Sequence, residues 1–323
     1  MQLRWNWKRW PLAALALLLA GGNALAHEKW FVDAQAISGG LPVFSRVDAT
    51  FAAAVIGIFA VLFLAAVWID RRLDGSRLTH WIDARLASAP FNPRTVLGVT
   101  IGVSLMGAGL HGTLFSPSLI LGGNSWGIAL GIFQITLGAL LLFLEPAYAE
   151  LGFLVAALFL AGLAVVPFWD AMEELFLFGA GLYLMTTGKG RALFHLNAPE
   201  FRRRAYHLFR ILTGLNFLVL SGVKWFRPEL ALAIVGEYRL NFLYGLGMSD
   251  IQFVFLAAVI ETLVALCILF RVAFRPAVLV AFTMFLISIF FLGPKELLGH
   301  LPVKATMFMF FVYGHWHKGE QKP

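Results

Sequence analysis

Among 323 residues there is one cysteine, Cys267, set inside the apolar run VIETLVALCILF. A single thiol excludes an internal disulfide, a C-x-x-C redox pair and a thiolate metal cluster built from this chain alone. In such surroundings it reads as a packing residue. Charge is scarce as well: Asp, Glu, Lys and Arg make up 13% of the chain, about half of what a soluble domain carries. No Walker A sequence and no H-E-x-x-H occur, which removes ATP-driven transport by this chain alone and zincin chemistry.

What is present is apolar. Hydrophobic residues account for 60% of the chain, and the mean hydropathy is +0.80. Lipid is therefore the main solvent, and the bilayer the first partner. The 31 Phe suit acyl chains and the 10 Trp suit the headgroup level. The net charge of +7 does not indicate nucleic acid, because the basic residues sit between apolar runs rather than along one solvated face.

Residues 1–26 read as a signal peptide: basic MQLRWNWKRW, apolar PLAALALLLAGG, and an A-x-A end at Ala24 and Ala26. Cleavage there exposes His27, whose imidazole and free α-amine together make a chelating pair for copper as Cu(II). The plainer alternative is that HEKWF merely begins the mature chain. Residues 27–47 then form a periplasmic segment.

The pattern predicts an all-α polytopic membrane protein with about nine spans, at 48–69, 95–115, 126–144, 151–167, 172–187, 208–226, 250–270, 276–293 and 303–316. With the mature N-terminus outside, the cytoplasmic segments hold fourteen Lys and Arg and the periplasmic ones seven. That bias and the signal peptide point the same way, to a bacterial inner membrane with a cytoplasmic C-terminus.

After a first span and basic loop (48–93), residues 94–187 and 206–316 read as two copies of one four-helix unit, separated by a basic loop (188–205) and followed by a short tail (317–323). Both begin Arg-x-x-x-Gly, at Arg94 and Arg210, and QITLGALLLF from Gln134 aligns with ETLVALCILF from Glu261. The third helix of each runs into an acidic cluster, PFWDAMEEL in one and GPKELLGH in the other. An even number of spans per copy relates the two by an axis along the membrane normal.

The stretches RILTGLNFLVLSGVKWF, AAVIETLVALCILF and FFLGPKELLGHLPVKATMFMFF resemble the DoxX family of four-helix membrane proteins. The resemblance covers residues 206–316, and extends to both units if the first is a diverged relative. It implies a subunit linked to quinone-dependent oxidation and to other membrane or periplasmic oxidoreductase subunits. It points to Arg210, Gly222, Lys224, Glu261, Glu296 and His300. Gln134 stands where the second copy has Glu261, which separates the two copies chemically.

Glu261 is the first catalytic candidate. A carboxylate inside an apolar helix costs about 2.5–3.5 kcal/mol on insertion scales, so it must find a partner such as Asn216 or Lys224, or carry function. Glu296, Lys224 and Arg210 join it as catalytic candidates. His111, His300, Glu173 and Glu174 are candidates for holding a quinone head, as acceptors for the protons that quinol oxidation releases. The alternative for each is an ordinary interfacial residue. His315 and His317 lie about 200° apart on a helix and do not form a haem pair.

Three functions remain open: a quinone-linked redox-associated subunit, a transporter of a small solute or metal ion, and a non-catalytic assembly factor. The charge bias generates a direct test of topology. A cysteine placed at position 203 should react with a membrane-impermeant maleimide only after the cells are opened, and labelling in intact cells would reverse the orientation.

Overall fold

The structure is a computed structural model, and it describes residues 40–73, 76–88, 92–116, 119–187 and 198–314. The signal peptide, His27, His315 and His317 lie outside the described residues. Twelve α-helices occur among them: α1 (Ala49–Leu73), α2 (Arg77–Ala87), α3 (Pro93–Leu110), α4 (Ser125–Phe143), α5 (Tyr148–Gly162), α6 (Phe168–Met172), α7 (Leu175–Met185), α8 (Pro199–Phe226), α9 (Pro228–Tyr238), α10 (Asp250–Phe270), α11 (Phe274–Leu292) and α12 (Pro294–Tyr313). They contain no β-strand, only an isolated bridge between Thr113 and Ile120.

The helix starts are written locally. Asn92 and Asn124 accept from the amides of Arg94 and Gly127, and the Gln252 side chain reaches back to the Ser249 amide at 2.9 Å. These are side-chain caps for amides that have no partner in the first turn. Proline opens α3, α8, α9 and α12, where its missing N–H and fixed φ cost nothing.

Among the described residues, seven helices are long and apolar enough to cross a membrane: α1, α3, α4, α5 with its preceding turn, α8, α10 and α11. The chain is thus a helical, multi-pass membrane protein. Two of the nine expected spans differ from the sequence reading. The fifth is divided between α6 of 5 residues and α7 of 11, with a two-residue turn at Glu173 and Glu174 between them. The ninth belongs to α12, which begins at Pro294 rather than 303 and so takes Glu296, His300 and Lys304 into its length.

The helices pack as a closed circuit. α3 lies against α4 and α12, α12 against α11, α8 against α10 and α7, and α7 against α5, with lighter contacts joining α4 to α5 and α10 to α11. Glycine sets the tightest crossings: a Cβ on Gly138 would sit 2.6 Å from the Gly102 carbonyl oxygen, and one on Gly152 would sit 2.6 Å from that of Gly181. Small residues let backbones approach this closely where lipid supplies no hydrophobic drive. α8 is central, with 78% of its apolar stretch buried, whereas α1 has 6% buried and leans on α10 through Phe51 and Phe255.

Gly152→Val should therefore lower the melting temperature of the detergent-purified protein, overpacking costing about 1–3 kcal/mol. Gly57→Val on α1, where nothing lies within 4 Å, should leave it unchanged. Equal melting of both variants would remove glycine from the account of packing.

Candidate functional site

α5 stops at Gly162, and the returning chain carries Asp170, Glu173 and Glu174 into buried positions before α7 begins. α7 has no side-chain cap from its own sequence. Its Phe176 amide donates instead to the Asn216 Oδ1 of α8, at 3.2 Å. Asn216 lies ten residues before the last residue of α8 (226 − 216), about 15 Å along the helix. α7 is thus a half-helix whose N-terminus opens inside the bundle.

Against this break stands the first half of α12. Glu173, Glu174, Thr213, Asn216 and His300 line a cavity of about 20 Å³, closed on the apolar side by Phe176, Phe217 and Phe285. That is room for one water molecule. The two acidic segments that the sequence aligned, PFWDAMEEL and GPKELLGH, meet here.

Each group around the cavity has a partner. The hydroxyl of Ser116 hydrogen-bonds the Glu174 carboxylate. Glu296 accepts from the Ser288 hydroxyl and lies 2.8 Å from His300 Nδ1. Lys304 Nζ donates to the Glu296 carbonyl oxygen at 3.1 Å. The Phe285 ring lies 4.9 Å from the His300 ring and 5.9 Å from Lys304 Nζ. Glu296, His300 and Lys304 follow one another at i, i+4 and i+8, one face of α12.

Ser116 is held in place by Gln134. The buried Gln134 amide accepts from the Phe115 amide at 2.9 Å and donates to the carbonyls of Leu105 and Thr113, both at 3.0 Å. This fixes a loop in which Phe115 takes φ 60°, uncommon for a residue with a Cβ. The Phe115 ring stacks on Phe159, centroids 6.0 Å apart.

A second buried pair lies further along α8. Lys224 Nζ is 3.1 Å from Glu261 Oε2, with side-chain exposures of 11% and 17%. Of the two partners expected for Glu261, the structure selects Lys224, while Asn216 is used by α7. Thr213, Phe217, Leu220 and Lys224 fall at i, i+4, i+7 and i+11, so the lysine continues the stripe of α8 that lines the cavity.

The other candidates lie elsewhere. Arg210 donates to the Ile268 and Leu269 carbonyls at the C-terminus of α10, where a cation meets the negative end of the helix. His111 caps α3, exposed, with Nδ1 2.7 Å from the Gly107 carbonyl. Among the described residues no group of three or more His, Cys, Asp or Glu is arranged to hold a metal ion. The sequence reading did not single out Ser116, Thr213 or Lys304. The i, i+4, i+8 spacing to Glu296 was the available signal that Lys304 faces inward.

The Lys224–Glu261 pair generates a double-mutant cycle. Lys224→Met or Glu261→Gln alone should destabilise by about 3 kcal/mol or more, since each strands a buried polar partner, and the double variant should lose much less than the sum. Strictly additive melting shifts would show that the two side chains do not interact. Comparison with protein-family models, with curated proteins and with solved structures gives no match in any of the three.

Proposed function

We propose that the chain is a redox-associated, quinone-linked membrane subunit in which Glu173, Glu174, Glu296 and His300 accept and pass on the two protons that a quinol would release as its two electrons go to a partner oxidoreductase subunit. The observation that carries this reading is the cavity, where carboxylates and an imidazole from segments more than a hundred residues apart converge on a water-sized space inside an apolar bundle. Carboxyl and imidazole groups are the side chains able to relay protons there. The fit is chemical rather than volumetric: about 20 Å³ takes a water molecule and no quinone ring. The cluster's own part would then be to hold and move protons, not to enclose a quinone.

The order of helix partners supports a duplicated four-helix unit of the DoxX-like kind. α3, α4, α5 and α7 repeat in α8, α10, α11 and α12, with α7 against α8 matching α12 against α3. In the orientation that the basic residues favour, the cavity belongs to the periplasmic half of the bundle. A second reading, a transporter of a small solute or ion, is favoured by the half-helix α7, whose N-terminus opens at the junction of the two units.

Glu174→Gln keeps size and the hydrogen bond from Ser116 while removing the titratable proton. With an unchanged melting temperature, it should lower quinol oxidation by membranes carrying the protein by about 10²-fold or more. Oxidation at the wild-type rate by both this variant and His300→Gln would overturn the redox reading. Solute uptake by liposomes of the purified, quinone-free protein would put the transport reading in its place.

A further inference from the structure

Where α8 stops and α10 starts, the connection between them divides into a covered part and an uncovered one. α9 turns its apolar side inward: Ala231 and Val235 are buried in one cluster with Val254 and Phe255 of α10. Its far end carries charge, with Glu237 and Arg239 both exposed. Residues 240–249, which follow, contain no Asp, Glu, Lys, Arg or His. They present Phe242, Tyr244 and Leu246 at 64%, 72% and 84% exposure. Three large, mainly apolar side chains left uncovered so close together mark a surface that meets an apolar partner.

The loop is tied to the start of α10. Asn241 Nδ2 donates to the Met248 carbonyl at 2.8 Å and to Asp250 Oδ1 at 2.9 Å, which joins both ends of the loop to the first residue of that helix. Within it the Tyr244 amide donates to the Asn241 carbonyl at 3.1 Å, and those of Leu246 and Gly247 to Leu243 and Tyr244, both at 2.9 Å. α10 is long and apolar enough to span from Asp250 onward, so the loop lies at the level of a headgroup layer about 5–8 Å deep. Phe242 gives the direction. Its ring meets that of Phe253 edge-on, with centroids 5.4 Å apart. Phe253 lies three residues into α10 (253 − 250), about 4.5 Å along the axis towards the bilayer core, and is itself only half-buried. Phe242 thus leans down α10 towards lipid rather than out into water.

We propose that residues 240–249 form an interfacial anchor, inserting Phe242, Tyr244 and Leu246 into the leaflet beside α10. In the orientation that the basic residues favour, this is the periplasmic leaflet. Phe and Leu suit the boundary of the acyl chains, while Tyr keeps its ring there and its hydroxyl among the headgroups. The lack of charge removes the side chains that cost most at that depth, and the hydrogen bonds inside the loop satisfy amides that acyl chains would leave unmet. With no basic side chain in the loop, the anchor is apolar, and a neutral bilayer is enough to receive it. The bond from Asn241 to Asp250 passes the depth of the loop to α10, the helix that carries Glu261. The anchor does not depend on the quinone-linked reading.

The test uses the full-length protein in phosphatidylcholine nanodiscs, with an environment-sensitive fluorophore on a single introduced cysteine. Cys267 is buried and stays unlabelled. L246C and Y244C report on the loop, and E237C, at an exposed position of α9, serves as the aqueous reference. Nitroxide placed on the lipid near the headgroup should quench L246C and Y244C strongly, and iodide in the buffer should quench them weakly. E237C should show the reverse order. Should one loop variant not fold, the other carries the comparison. Iodide quenching of the loop positions equal to that of E237C puts the loop in water and overturns the proposal. Shielding of both positions from iodide and nitroxide lipid alike assigns the loop to a protein contact, a second copy or another subunit, and overturns it equally.

Discussion

A helix that starts inside an apolar bundle leaves amides with nothing to bond to unless another element supplies an acceptor, and lipid supplies none. The hydrogen bond from the Phe176 amide to Asn216 meets that requirement for one amide of α7, and the Leu177 amide donates to the Glu174 carbonyl of the preceding turn. Because α7 can begin there, the chain between α5 and α7 can fold inward, and with it Asp170, Glu173 and Glu174. The cavity lies at this break, and α12 brings His300 to the other wall, with Glu296 and Lys304 one turn away on the same face. The rest of the bundle, with its glycine crossings and its central α8, holds that break in register.

The polar groups are sorted by end. Carboxylates, imidazole and two lysines gather around the cavity and the stripe of α8 beyond it, with Glu174, Glu296, His300, Lys304, Lys224 and Glu261 each held by a partner. Arginines gather at the other end, where most of them close off helix C-termini. Burying an ion is costly unless it is paired or hydrogen-bonded, and the pairing is what makes both groups compatible with a lipid-facing exterior.

Gln134 and Glu261 show how one aligned position serves two ends. The amide at 134 is consumed by three backbone partners and fixes the loop that delivers Ser116 to Glu174. The carboxylate at 261 faces a lysine instead. An amide can satisfy donors and acceptors of a loop at once, whereas a carboxylate only accepts and calls for a cation. The first unit thus uses the position for structure and the second for charge.

The sequence by itself determined the membrane class, most of the spans, the cluster residues Glu173, Glu174, Glu296 and His300, and the oddity of Glu261. These follow from hydropathy, span length and the cost of isolated polar residues, all of which are local along the chain. Only the tertiary structure decided that α7 is a half-helix, that Lys304 lies inside, that Lys224 rather than Asn216 meets Glu261, and that the two acidic segments share one cavity. Those facts depend on which helix faces meet across long separations in the chain. Apolar helices surrounded by lipid carry little pattern to say which face turns inward, so the meeting of faces is settled by side-chain size and by hydrogen bonds between helices.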